Sequence, residues 1–225
     1  LKIRDSIELV GELDMKFLHH GLPQRVMRGD RPKRHPELVS GSRTKFGMTM
    51  PKTPTQWKKI IFSILSDYNV ASKEPIVRLY DHSVQGTNVV PPFHGELMDG
   101  PSDAAVLRPV LKKSHGMIVS HGMNPVLNNI NPYHGSIWAA VEALANYVSV
   151  GGDYRQASLI NNYIWPFPDS ESLWSLDRSV DAVVEVMKVF GIPVISGKDS
   201  LSSTYRGKDG KVLKIPPVLC MSVFG

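Results

Sequence analysis

Oxygen-bearing side chains recur at three places where their spacing could hold a hard cation and a phosphate. The first is Asp99-Gly-Pro-Ser-Asp103-Ala-Ala-Val, an acidic turn that leads into an apolar run. A carboxylate at the mouth of a strand is well placed to hold Mg²⁺ and to bring it to a phosphate. The alternative is a turn or capping role for the aspartate, and the residues alone leave both interpretations open.

The second place is the pair formed by Glu142 and Asn146. Four residues apart on a helix, the two side chains share one face, and this face adjoins an apolar stripe that contains Val141 and Leu144. A carboxylate and an amide oxygen suit octahedral Mg²⁺, which prefers oxygen ligands and keeps several waters. A polar pair facing solvent would have the same spacing, so this interpretation also stays open.

The third place is Ser196-Gly-Lys-Asp-Ser200, which follows a strand predicted over residues 193–195. A Gly-Lys step at a strand end can bind phosphate through backbone N–H groups and an ammonium group. The sequence contains no Walker A loop, no H-E-x-x-H and no G-x-G-x-x-G, so the better-known phosphate and zinc motifs are excluded. Together the three features predict a site for Mg²⁺ and phosphate.

The elements that must position these groups alternate between helical and strand periodicity. One long helix is predicted over residues 132–150, ended by Gly151-Gly152, and a second over 173–190, ended by Gly191. Thr55 is predicted to cap an earlier helix, and a short helix should follow Ser72. Strands are predicted at 87–90, 104–107, 116–120, 157–160, 193–196 and 217–224, with a hairpin turn at 206–210. This alternation, with some antiparallel pairs, predicts an α+β (mixed α/β) fold.

Composition sets broad limits on the class of protein. The 225 residues are 42% hydrophobic and 21% charged, which excludes global disorder. The single cysteine, Cys220, excludes an internal disulfide framework and a cysteine-based zinc site. No apolar run reaches the length of a membrane span, so we expect no membrane association. The single cysteine fits a reducing compartment, and we predict a cytoplasmic protein.

The net charge of +5 comes from one stretch of the chain. Residues 24–60 contain ten Lys and Arg against two acidic residues, a net +8 that leaves −3 on the remainder. A nucleic-acid contact is one interpretation, but the stretch is broken by prolines and lacks the interleaved aromatics of a stacking groove. We therefore predict a basic, proline-containing linker or insertion at 24–54, the tail of a preceding domain at 1–23 and one domain at 55–225. The chain is accordingly expected to be part of a longer polypeptide.

Several longer segments resemble one enzyme family. The match is to phosphoribosylformylglycinamidine synthase, and more narrowly to the second synthetase half of its long form. Ordered motifs with consistent gaps extend almost continuously from about residue 68 to the end of the chain, which makes the resemblance specific. They are YDHSVQGTNVV (80–90), GPSDAAVL (100–107), NPYHGSIWAAVEALANYVSVGGD (131–153), INNYIWPFP (160–168), PVISGKDSLSSTY (193–205) and IPPVLCMSVFG (215–225).

The resemblance implies a fold and a reaction. The fold is the N-terminal-type domain of the aminoimidazole ribonucleotide (AIR) synthetase superfamily, a mainly antiparallel sheet with helices packed on one face. The family is a ligase of de novo purine biosynthesis that converts formylglycinamide ribonucleotide (FGAR), ATP and glutamine into formylglycinamidine ribonucleotide, ADP, phosphate and glutamate. The implied partners are the first synthetase half and a glutaminase domain or subunit that supplies ammonia, and this chain alone is expected to be inactive.

The resemblance also implies site residues. Asp103, Glu142 and Asn146 match family positions that ligate Mg²⁺ on a bound adenine nucleotide, ATP or ADP, and Ser102 matches a residue that touches that nucleotide. Lys198, Asp199 and Ser200 match the family's SGKDS loop and are predicted to bind the nucleotide, without individual roles.

One departure from the family pattern concerns the residue after Asn146. Fully catalytic relatives have an aspartate there, whereas this chain has Tyr147. The alternative that follows is a non-catalytic half, whose nucleotide is structural or regulatory and which pairs with the catalytic half.

Overall fold

The computed structural model describes the backbone of residues 2–5 and 8–12 and all atoms of residues 51–68, 70–79 and 82–225. At the start of the chain, β1 (Lys2–Asp5) and β2 (Glu8–Glu12) pair with each other in antiparallel orientation. The predicted boundary between residues 23 and 24 and most of the predicted basic linker lie outside the described residues, as do Tyr80 and Asp81 of the first family motif.

A six-stranded sheet forms the centre of the described chain. Its strands lie in the order β3-β6-β7-β12-β8-β9, and every pair is antiparallel except the parallel pair β8 and β9. Two smaller antiparallel pairs, β4 with β5 and β10 with β11, extend from it. The bounds are β3 (Asn88–Val90), β4 (Phe93–His94), β5 (Gly100–Pro101), β6 (Ala104–Leu107), β7 (Met117–Gly122), β8 (Ser158–Ile164), β9 (Val194–Ser200), β10 (Thr204–Arg206), β11 (Val212–Lys214) and β12 (Val218–Phe224).

Helices cover one face of this sheet, since along β12 residues 219, 221 and 223 are buried whereas the alternate residues are only half-buried. Helix α4 contacts β7 and β12, α3 contacts α4, and α5 lies against α4. The predicted class, mixed α/β with a mainly antiparallel sheet and helices on one side, is therefore confirmed. No helix in the described residues is long and apolar enough to cross a membrane. The bounds are α1 (Pro54–Leu65), α2 (Glu74–Val77), α3 (Pro125–Ile130), α4 (Pro132–Ser149) and α5 (Ser170–Phe190), with a 3₁₀ turn at Tyr154–Gln156.

Several predicted boundaries differ from the structure, and three of these differences have a clear physical reason. Thr53, not Thr55, caps α1, because Pro54 fits the first helical position and Gln56 completes a capping box. Helix α5 begins at Ser170, earlier than predicted, since the Asp169 side chain accepts a hydrogen bond from the Ser172 N–H. Strand β9 continues to Ser200 because it pairs with β8 along its whole length.

Small residues allow α4 to lie close against β7. Ala139, Ala140 and Ala143 of α4 are completely buried. The hydroxyl of Ser120 donates a hydrogen bond of 2.7 Å to the carbonyl of Ala143, which ties β7 to the middle of the helix. The backbone of Gly122 comes so near α4 that an added Cβ would lie 2.2 Å from the carbonyl oxygen of Ala139. The position of α4 along β7 is therefore set by contacts that tolerate no larger side chain.

Asp169 joins the start of α5 to the hairpin of β10 and β11, and this link should depend on pH. Its carboxylate accepts hydrogen bonds from the Lys214 ammonium and the Ser172 N–H. The Lys214 hydrogen bond is the main cause that lowers the pKa of Asp169 to about 2, from a usual 3.8. Because the folded pKa lies below the unfolded one, the stabilisation is complete above about pH 5 and is lost as the pH falls toward 2.

We therefore expect Lys214→Met to lower the melting temperature by only about 1–3 °C at pH 6, since both partners are about two-fifths exposed. Thermal unfolding followed by circular dichroism between pH 6 and 2.5 should show this difference shrinking. Lys208→Met, at an exposed lysine of the same hairpin, is the control. A Lys214→Met difference that is unchanged at pH 2.5 would contradict the link.

Candidate functional site

Asp103 lies at the entrance to β6, beside the end of β7. Ala104 pairs with Ser120, so the antiparallel register continues from Asp103 towards His121. The Asp103 side chain is exposed, and the strand mouth predicted for it is confirmed. Its carboxylate is thus available at one end of the sheet, next to the backbone segment 121–123.

Glu142 and Asn146 project from α4 onto the same backbone segment. A carboxylate oxygen of Glu142 (Oε2) accepts a hydrogen bond of 2.9 Å from the Met123 N–H. The Asn146 amide nitrogen (Nδ2) donates one of 3.0 Å to the His121 carbonyl. The helix spacing therefore places both side chains on one face, as predicted, and two backbone groups at the end of β7 hold them.

These two hydrogen bonds leave oxygen atoms available. The Asn146 amide uses its nitrogen for His121, which leaves Oδ1 as the other polar atom, and Glu142 uses Oε2 and leaves Oε1. With the Asp103 carboxylate, the donor set is all oxygen, as Mg²⁺ requires. In the described part of the chain no three or more His, Cys, Asp or Glu side chains form a metal cluster. A cation held by these oxygens would take its remaining ligands from waters and phosphate oxygens.

An open cavity of about 490 Å³ adjoins Asp103. Its polar lining comes from Ser102, Asp103, Ser149 and His94, and of these His94 and Ser149 are not among the predicted site residues. Pairing of β4 with β5 places His94 opposite Gly100, a contact that residue spacing alone does not indicate. The remaining walls are apolar: Val89, Val90, Pro101 and Val150.

Ser102 is engaged with its own loop. Its hydroxyl donates to the Pro91 carbonyl at 2.7 Å, and its oxygen lies 2.8 Å from Nδ1 of His94. The Ser102 N–H donates to the carbonyl of Pro92 at 3.0 Å. Ser102 therefore lies in the cavity wall, as a nucleotide-contacting residue must, but its hydroxyl proton is donated to Pro91 and not towards the cavity.

Lys198, Asp199 and Ser200 lie at the other edge of the sheet. They belong to β9, so the prediction that the Gly-Lys step follows a strand end is wrong: the step is inside the strand. Four strand spacings separate β9 from β6, which is roughly 19 Å at about 4.8 Å per strand. The structure does not bring these three residues to Asp103, and their predicted nucleotide contact stays a prediction.

Tyr147, at the departure from the family pattern, faces the core. Its side chain is 2% exposed and packs closely against Gly152. Burial is the main cause that raises the pKa of its phenol, so the hydroxyl stays neutral at physiological pH. The position after Asn146 therefore adds no negative charge to the site.

Comparisons with known proteins place the chain among one group of relatives. The family model described as the FGAR-AT PurM_N-like domain matches residues 72–225. Two similar proteins are named phosphoribosylformylglycinamidine synthase subunit PurL. The one from Methanosarcina barkeri is 31% identical over 97% of this chain and 27% of its own length. The one from Thermoplasma volcanium is 27% identical over 78% of this chain and 23% of its own length. The chain thus spans about a quarter of the length of these relatives.

Solved structures from Thermotoga maritima show the same fold. PurLQS matches 100% of this chain and 31% of its own chain, with a TM-score of 0.62 and 23% identity. PurL complexed with FGAR matches 69% of this chain and 23% of its own chain, with a TM-score of 0.53 and 28% identity. The predicted AIR-synthetase-like architecture is therefore confirmed.

Proposed function

The chain belongs to the FGAR-AT PurM_N-like domain family, and from this premise we propose that it is the N-terminal-type domain of the second synthetase half of a phosphoribosylformylglycinamidine synthase. The reaction would be the ATP-dependent ligation that converts FGAR and glutamine-derived ammonia into formylglycinamidine ribonucleotide. The solved relative with FGAR bound supports the substrate assignment. The first synthetase half and a glutaminase would be the partners, in the cytoplasm.

Within that enzyme, we propose that this domain holds an adenine nucleotide with Mg²⁺. The observation that carries the proposal is the anchoring of Glu142 and Asn146 to backbone groups at the end of β7, beside Asp103. A cation bound by these oxygens would neutralise nucleotide phosphates, which otherwise repel the two carboxylates. We propose a separate nucleotide contact at the opposite edge of the sheet, formed by Lys198, Asp199 and Ser200.

A nucleotide titration tests this proposal on the 225-residue chain. With ADP and Mg²⁺ at about 100 times the dissociation constant, binding should add about 2.7 kcal/mol to the free energy of unfolding. For a chain of this size the melting temperature should then rise by roughly 5–10 °C. Differential scanning fluorimetry measures the shift, and ADP with EDTA is the control. A melting temperature unaffected by Mg²⁺ and ADP together would contradict the proposal.

The burial of Tyr147 favours a second candidate, in which the nucleotide supports the fold and is not consumed. Without a further carboxylate after Asn146, the site has fewer anionic groups with which to bind a second cation. In the full-length enzyme, isotope-labelled ADP bound beforehand should remain protein-associated through many turnovers if the nucleotide is structural. Release of the label at the rate of product formation would instead indicate a nucleotide consumed at this site.

A further inference from the structure

The hydrogen-bond chain in the cavity wall determines which nitrogen of His94 faces a ligand. The hydroxyl of Ser102 has one proton, and the Pro91 carbonyl, which can only accept, lies 2.7 Å from it. The serine proton therefore goes to Pro91, and the remaining contact, 2.8 Å from Nδ1 of His94, requires that Nδ1 carry a hydrogen. In the neutral ring Nε2 is then an acceptor. Because the serine proton is used within the protein, His94 is the member of this pair that still has a hydrogen-bonding atom, Nε2, without a partner in the chain Pro91–Ser102–His94.

The lining of the cavity indicates which part of a nucleotide this acceptor would meet. The residues of the described chain that line it include no lysine or arginine, whereas the Asp103 carboxylate is present. Phosphate oxygens placed in the cavity would be repelled by the Asp103 carboxylate and by the lone pair on Nε2 of His94, except where a cation lies between them. The apolar walls of Val89, Val90, Pro101 and Val150 suit a base or a ribose ring.

We infer that His94 is a nucleotide-binding residue, whose Nε2 accepts a hydrogen bond from a donor on the nucleoside, either a ribose hydroxyl or the exocyclic amino group. This inference rests on the proposed function. Ser102 is then a positioning residue that holds the His94 tautomer, while Asp103 lies on the side of the metal and the phosphates. The cavity would thus bind the nucleoside, and the oxygen cluster of Asp103, Glu142 and Asn146 the cation.

Two substitutions at His94 separate the two ring nitrogens. In His94→Asn the amide can reach Ser102 as Nδ1 does, but no acceptor remains at the ε position. In His94→Gln the side-chain oxygen can reach the place of Nε2. We expect the dissociation constant for Mg²⁺-ADP, measured by calorimetry on the 225-residue chain, to rise about tenfold in His94→Asn, with His94→Gln recovering most of this loss. Mg²⁺-pyrophosphate should bind all variants with equal affinity.

His115→Asn provides the matched control, since His115 is exposed and does not line the cavity. Circular dichroism and thermal unfolding verify that each variant is folded. If the wild-type chain binds no Mg²⁺-ADP, the proposed function fails and this inference with it. If the wild type binds Mg²⁺-ADP but His94→Asn and His94→Gln have the same dissociation constant as each other, only the inference is overturned. An equal loss of pyrophosphate affinity in His94→Asn would also overturn it, since the contact would then be to phosphate.

The role of Ser102 has its own readout. Nitrogen-15 histidine spectra of the wild type should show His94 with its hydrogen on Nδ1. Ser102→Ala should shift His94 towards the Nε2–H tautomer and weaken Mg²⁺-ADP binding, while Ser102→Thr retains both properties. If the His94 tautomer is the same in Ser102→Ala and the wild type, Ser102 does not position the ring.

Discussion

Replacing Gly122 by alanine should lower the free energy of unfolding by about 3 kcal/mol, in the range expected when a close-packed interface is overfilled. An ideal Cβ at this position would lie 2.2 Å from the Ala139 oxygen and 2.6 Å from the Ala143 nitrogen. Both atoms belong to the backbone of α4, so no side-chain rotation can relieve the overlap. The helix must move away from β7, which separates the core residues that α4 shares with the sheet.

The same displacement should reach the proposed cation site. Met123 and His121, which hold Glu142 and Asn146, flank Gly122 directly. A shift of α4 therefore moves the two oxygen ligands relative to Asp103, and we expect Gly122→Ala to weaken Mg²⁺-ADP binding as well as stability. The effect on binding can be separated from the effect on stability by measuring Mg²⁺-ADP affinity at low temperature, where the variant is fully folded. Weaker binding under that condition comes from the displaced ligands and not from unfolding.

Thermal unfolding measures the stability change, expected as a drop of roughly 6–12 °C in melting temperature. Gly210→Asn is the control, because Gly210 lies in the turn between β10 and β11 with φ of 77° and has no atoms within 4 Å of an added Cβ. Asparagine tolerates that conformation. A Gly122→Ala melting temperature within 2 °C of the wild type would refute the close contact.

Local spacing explains what could be predicted of the site from sequence. Glu142 and Asn146 share a face because a helix repeats every 3.6 residues, and a spacing of four residues within one helix can be read directly from the sequence. The proximity of Asp103 to them depends on the pairing of β6 with β7 and on the contact at Gly122, which are long-range features. Periodicity cannot show which strands are neighbours. The sequence therefore predicts one site for Lys198 and Asp103, although four strand spacings separate their strands.

Some local features were also missed because tertiary pairing overrides residue preference. Residues 196–200 include no β-branched residue and look like a loop, yet they continue β9 because β8 supplies partners in register. The Asn161 side chain lies close over Gly197: an added Cβ would lie 2.4 Å from its amide oxygen, so a larger residue would displace that side chain. The small size that suggested a phosphate loop instead allows close packing within the sheet.

Replacing Asp103 by asparagine together with Glu142 by glutamine should abolish Mg²⁺-dependent nucleotide binding. Both changes preserve shape, and the glutamine oxygen can still accept the hydrogen bond that Met123 donates to Glu142. The melting temperature without nucleotide should therefore stay within about 2 °C of the wild type. Two anionic ligands are lost, so the affinity for Mg²⁺-ADP should fall on the order of 100-fold, and the nucleotide-induced rise in melting temperature should disappear.

The matched control is Glu171→Gln with Asp177→Asn, which removes two exposed carboxylates of α5 and should leave binding unchanged. Measurements in EDTA sharpen the test, because removal of two negative charges from a phosphate site leaves metal-free ADP binding equal or slightly tighter. The two single variants should not be additive, since either loss alone already weakens the same cation. Undiminished Mg²⁺-ADP affinity in the double variant would show that Asp103 and Glu142 hold no cation, whereas equal losses with and without Mg²⁺ would place them in direct contact with the nucleotide.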